Sequence, residues 1–237
     1  MPIDQLDEQN RLSTLMTEQL TRQFYRSIPL YLAVPVVIWY IFSLTHFPAD
    51  WKAYGFGAFG WLIALMLRGP ISLLVKKLPQ QKAKLLIIAS SGPLEEGIRY
   101  IVIALTGASF SNALSIGQGW AAIEVVFAVI NGLVLASVLR RTDEKAEQVK
   151  ELLLANGNQP ANSLWGVWER LFASAFHIGA TLLIAVHPLL LIVLLPLHSG
   201  FNLISVSLAK RSMIWTELFV AVVGTVVLAA GLLLLKA

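Results

Sequence analysis

Residues 112–139 read NALSIGQGWAAIEVVFAVINGLVLASVL, a run of 28 in which Glu124 is the only ionisable side chain. A helix needs about 20 apolar residues to cross the roughly 30 Å of hydrocarbon in a bilayer, so this run is long enough to span one. Similar stretches lie on both sides of it. The hydropathy pattern predicts spans at 28–47, 54–75, 84–106, 112–139, 164–186, 188–209 and 213–235. Composition agrees: 57% of the 237 residues are hydrophobic and 14% are charged, and the mean hydropathy is +0.70. The expected fold is an all-α polytopic transmembrane helix bundle of about seven spans, forming a single domain over 28–237.

Working outward, the basic residues test that count. Arg11, Arg22 and Arg26 precede the first span, Lys76, Lys77, Lys82 and Lys84 join the second to the third, Arg140, Arg141, Lys145 and Lys150 follow the fourth, and Lys210 and Arg211 follow the sixth. With seven spans all of these fall on one side, and only Lys52 and Lys236 fall on the other. The positive-inside rule then predicts a cytoplasmic N-terminus and an outside C-terminus. The net charge of +4 is scattered over loops rather than gathered in a patch, which argues against nucleic acid as a partner. Residues 1–27 carry Asp4, Asp7, Glu8 and Glu18 with no leading apolar core, unlike a cleaved signal peptide. Leu12, Leu15, Met16, Leu20 and Phe24 share a helical face there, so 1–27 is expected to lie on the cytoplasmic surface as an amphipathic interfacial segment. A second interfacial helix is expected over 143–155, with Val149, Leu152 and Leu153 on one side and a stop at Asn156-Gly157. A solvated connector is the alternative.

Ionisable groups inside a span are costly unless they pair or line a wet cavity, so each is a functional candidate. The third span contains Ser90-Ser91-Gly92-Pro93-Leu94-Glu95-Glu96-Gly97-Ile98-Arg99. Gly92 and Pro93 are expected to break the helix, with a new segment starting at Pro93 whose dipole favours a carboxylate at Glu95 or Glu96. Arg99, four residues after Glu95, shares its face. A structural ion pair is the plain alternative. In the fourth span Gln118, between Gly117 and Gly119, precedes Glu124. The fifth brings Glu169 and Arg170, expected as an interfacial ion pair, and then His177 on the face of Arg170. The sixth places His198 and Asn202 one turn apart. Arg68 is a candidate to neutralise one of the glutamates. Glu95, Glu96, Gln118, Glu124, His177 and His198 therefore lie at comparable depth on four helices, and a shared polar cavity is expected. There a carboxylate can take a proton from water while a histidine and an asparagine donate to the oxyanion of a cleaved amide.

The Glu95-Glu96 pair followed by Arg99, and His198 followed by Asn202, resemble the motifs of glutamate-type intramembrane proteases. That superfamily includes the type II CAAX prenyl endopeptidases, the PrsW-like proteases and the YhfC-like membrane peptidases. The YhfC-like pattern is the most similar over 92–202, about half the chain, although it has a histidine where this chain has Gln118. The resemblance implies an intramembrane peptide hydrolase with Glu95 as base, Glu96 supporting it, and His198 and Asn202 as the oxyanion hole. His177 would add an imidazole, and Arg99, Gln118, Glu124 and Arg170 would support the site or the substrate. The implied substrate is a membrane-embedded or membrane-anchored peptide, and the implied location a bacterial or archaeal plasma membrane.

Two alternatives stand beside it: a substrate-binding relative that does not cleave, and a proton- or ion-coupled transporter, since broken helices and midplane carboxylates also build transport sites. No Cys is present, so any metal site would need His and carboxylate ligands. Zn could sit among His177, His198, Glu95 and Glu124. The chain has no HExxH spacing, and a glutamate-activated water requires no cofactor.

Overall fold

The computed structural model describes residues 3–45, 47–141, 143–144, 146–148 and 164–236. Among these the regular structure is α-helical apart from one short 3-10 turn, and the main helices are α1 (Ile3–Leu44), α2 (Trp51–Val75), α3 (Gln80–Ala89), α4 (Ser91–Thr106), α5 (Phe110–Leu139), α6 (Leu164–Val186), α7 (Leu191–Ala209) and α8 (Met213–Lys236). All but α3 and α4 are long and apolar enough to cross a membrane. Large apolar side chains point outward, with Leu74 and Leu105 each 81% exposed, as a lipid-facing surface requires and a water-facing one does not.

The broken pair α3–α4 makes the remaining crossing. Ser115 Oγ, near the start of α5, accepts from the backbone N–H of Asp50 at 2.9 Å, so α2 and α5 begin at the same end of the bundle. Phe47 and Phe110 meet there with ring centroids 4.5 Å apart. The chain leaves α2 at the opposite end and must return before α5, and only α3–α4 lies between. Gly107, at φ +106, makes the turn out of α4 in a conformation that favours glycine.

The break falls at Ser90, just ahead of the expected Gly92-Pro93. Proline disturbs the turn preceding it: Pro93 has no N–H to give the carbonyl of Ala89, and its ring crowds that oxygen. The helix therefore fails at 90, and Pro93 sits in the first turn of α4. The freed Ala89 carbonyl accepts from Ser199 Oγ of α7 at 2.6 Å. Gly92 lets α7 approach this closely, because a Cβ there would fall on the carbonyl oxygen of Leu195.

α1 also differs from expectation. The amphipathic segment and the first span form one uninterrupted helix of 42 residues. Nothing between Leu6 and Ser27 stops a helix, as that stretch has neither proline nor glycine. Leu15 is more than half exposed, while the Phe24 ring packs where a Cβ on Gly132 of α5 would sit. Leu12 and Met16 lie outside the residues whose side chains are described. So do Val149, Leu152 and Leu153 of the second interfacial segment.

α6 is the most enclosed of the six long apolar helices. Phe176, Ile178, Leu182 and Ile184 pack against the small-residue half of α5 and against α7 and α8. This central helix, with the short α4 beside it, carries the buried polar residues into the bundle.

Candidate functional site

Three helices bring their polar residues to similar depth: Glu124 is fifteenth of 30 residues in α5, His177 fourteenth of 23 in α6, and His198 eighth of 19 in α7. Glu95 and Glu96 come from the first turns of α4. Together with Arg68, Arg170 and Asn202, all but Glu96 of these line a cavity of about 210 Å³. The cavity runs from Glu95, His177 and His198 toward the end of the bundle where α2 finishes and α6 and α8 begin. Ser205 and Val220 line its outer part. The Glu169 side chain at the mouth is 37% exposed.

The two adjacent glutamates have separate partners. Glu95 accepts from Arg68 Nη2 of α2 and from the indole N–H of Trp120 at 3.3 Å. Glu96 is fully buried, and Arg99 Nη1 lies 2.8 Å from both its oxygens. The expected pairing of Arg99 with Glu95 is thus replaced by an i,i+3 pair with Glu96. Arg68 binds Glu95 instead.

His198 stands between the glutamates. Its Nδ1 is 2.5 Å from Glu96 Oε1, and its Nε2 is 3.9 Å from Glu95 Oε2. A carboxylate accepts, so Nδ1 carries the proton and Nε2 is the nitrogen turned toward Glu95. His177 is more constrained. Its Nδ1 lies 2.8 Å from Arg99 Nη2, which can only donate, so in the neutral ring the proton is on Nε2, 2.5 Å from Glu124 Oε2. Both of its nitrogens are engaged. Glu124 also accepts from Arg170 Nη1 at 2.6 Å, and Arg170 Nη2 donates to Glu169.

Asn202 has a determined amide orientation. Ser91 Oγ gives its one hydrogen to the Ile88 carbonyl at 2.7 Å, so it can only accept from Asn202 Nδ2, 2.8 Å away. The second N–H of that amide is left free beside the cavity.

Gln118 is not part of this arrangement. Its neighbours set the rotation of α5: a Cβ on Gly117 would lie 2.8 Å from Ile178 Cα of α6, and one on Gly119 would meet the Tyr54 carbonyl of α2. Gln118 precedes Trp120 by two residues and Glu124 by six, so at 3.6 residues per turn it points away from both. It is buried, and its Oε1 has no partner. Sequence reasoning also missed Trp120, which is fully buried, donates to Glu95 and holds its ring 4.5 Å from Arg99 Cζ. A tryptophan in a span one turn before a buried glutamate was the available signal, since a buried indole N–H needs an acceptor.

Glu95, His177 and His198 can each offer a ligand atom within 4.8 Å of the others, so these three could hold a metal ion. His198 and Glu95 both line the cavity. His177 could join only by releasing Arg99 or Glu124.

No protein-family model, curated protein or solved structure matches the chain.

Proposed function

We propose that the protein is an intramembrane peptide hydrolase in which Glu95 and His198 act on a water held between them. The observation that carries this reading is the meeting of Glu95, His198 and Asn202 on one cavity, with His198 tethered from behind by Glu96. A water beside Glu95 loses a proton to the carboxylate as it attacks an amide carbon, and the proton then passes to the leaving nitrogen. The two bonds that Glu95 already accepts leave lone pairs for this, since a carboxylate has about four acceptor sites. The free N–H of Asn202 and the Nε2–H of a protonated His198 ring donate to the oxyanion. Arg68 holds Glu95 in place through Nη2.

The cavity opens at the end of the bundle that joins the basic loops, which the charge bias assigns to the cytoplasm. The fitting substrate is a membrane-anchored peptide whose scissile segment reaches the site from that side. The test compares wild-type protein in liposomes with Glu95→Gln and His198→Ala on a pool of membrane peptides, reading products by mass spectrometry. Loss of products in both variants is expected, and identical profiles refute the reading.

A second reading, proton-coupled transport, draws on another observation. Polar contacts link His198, Glu96, Arg99, His177, Glu124, Arg170 and Glu169 in one unbroken series across four helices. Proton uptake into liposomes without any peptide cleavage would favour it.

A further inference from the structure

Trp120 touches both halves of the charged cluster. Its N–H reaches Glu95 Oε2 at 3.3 Å, and its ring face lies 4.5 Å from Arg99 Cζ. Through Glu95 it meets the cavity and Arg68. Through Arg99 it meets Glu96 and His177, and Glu96 in turn holds His198. Its own position is tightly set. It is fully buried, it packs with Trp61 and Ala64 of α2, and a Cβ on Gly60 would lie 3.0 Å from its Cζ3.

Those contacts restrict what each partner can do. Glu95 could swing toward Arg68 alone, since the guanidinium is at its cavity edge and 29% exposed. The indole N–H holds the second oxygen on the inner side, within 3.9 Å of His198 Nε2. The ring meanwhile covers the guanidinium plane of Arg99 and excludes water from it, which a desolvated cation–π pair does at a gain in stability. Packing alone would need neither the N–H bond nor the guanidinium stacked on the ring.

We infer that Trp120 is a positioning residue that holds the Glu95 carboxylate against His198 while clamping Arg99, and thereby Glu96, on its opposite side. This rests on the hydrolase reading of the site, and the test separates the two. Trp120→Phe keeps an aromatic face near Arg99 and removes the N–H together with the five-membered ring that carries it. In liposomes its kcat for peptide cleavage falls about 10- to 100-fold with KM unchanged, the pattern of a misplaced reacting group rather than lost binding. Trp120→Leu removes the aromatic face as well and lowers unfolding resistance further than Trp120→Phe does.

The independent arm is spectroscopic. The ultraviolet resonance Raman difference between wild type and Trp120→Phe isolates one indole among the seven tryptophans. Its N–H band sits at a hydrogen-bonded position and moves toward the unbonded position in Glu95→Ala. In Glu95→Gln, which keeps the side-chain shape, it moves in the same direction by less. A band unmoved in both overturns the inference, as does an unaltered kcat in Trp120→Phe. If the wild type cleaves no peptide, the hydrolase reading fails while the Raman arm still decides whether Trp120 holds Glu95.

Discussion

Replacing Arg99 with methionine removes the guanidinium bound to Glu96 while leaving a chain of similar length. Both side chains of that pair are 0% exposed, and the guanidinium also meets His177 Nδ1 at 2.8 Å and the Trp120 ring. Breaking a fully buried pair from one side leaves an uncompensated carboxylate and costs about 3–5 kcal/mol. The variant Glu96→Gln on its own strands the guanidinium in the same way. With both changes together no charge is left behind, so the double variant should be more stable than the sum of the two losses implies, with a coupling of up to about 3 kcal/mol. Reversible unfolding in bicelles, measured by steric trapping, gives the three differences. The reasoning is refuted if Arg99→Met costs less than about 1 kcal/mol, or if the two single losses simply add.

Other outcomes follow from the same geometry. Gly92→Ala should cost about 1–3 kcal/mol because its methyl meets the Leu195 carbonyl, whereas Gly97→Ala on the same helix, with nothing within 4 Å, should be neutral by thermal unfolding. Ser199→Ala should cost about 1 kcal/mol by stranding the Ala89 carbonyl, and much less in a Pro93→Ala background, where residue 93 regains an N–H for that oxygen. Because the chain has no cysteine, Ser205→Cys should react with a membrane-impermeant thiol reagent added on the side that also labels Lys76→Cys, while Lys52→Cys reacts only from the other side. On the proposed hydrolase reading, Gln118→His should leave peptide cleavage unchanged, and a marked increase would show that position 118 does reach the cavity.

The fold was largely legible because the bilayer imposes a one-dimensional rule, and runs such as 112–139 obey it without reference to neighbours. What escaped was anything that depends on helix rotation. Arg99 lies both three residues after Glu96 and four after Glu95, and spacing alone allowed either partner; the choice was made by Arg68, which arrives from α2 and occupies Glu95. Gln118 has the right depth but the wrong azimuth, which Gly117 and Gly119 set through contacts with two other helices. The break near Pro93 was anticipated in kind and misplaced in position, since the consequence of a missing N–H is felt four residues upstream at Ala89.

The charges around the cavity carry the argument one step further. Glu95, Glu96, Glu124 and Glu169 are set against Arg68, Arg99 and Arg170, each guanidinium bound to at least one carboxylate. Such a cluster in a bilayer interior is tolerable only if its charges are closely matched, and among these seven side chains the guanidiniums fall one positive charge short of the carboxylates. The group best placed to supply it is His198, which has one nitrogen on Glu96 and the other directed at Glu95. A proton on that ring balances the cluster and makes Nε2 a donor to an oxyanion; a cation between Glu95 and His198 balances it in another way. The two alternatives differ in a measurable respect. If the proposed hydrolase reading holds, washing the purified protein with a chelator should leave cleavage intact where the ring proton completes the site, and should abolish it, with recovery on adding Zn, where a metal does.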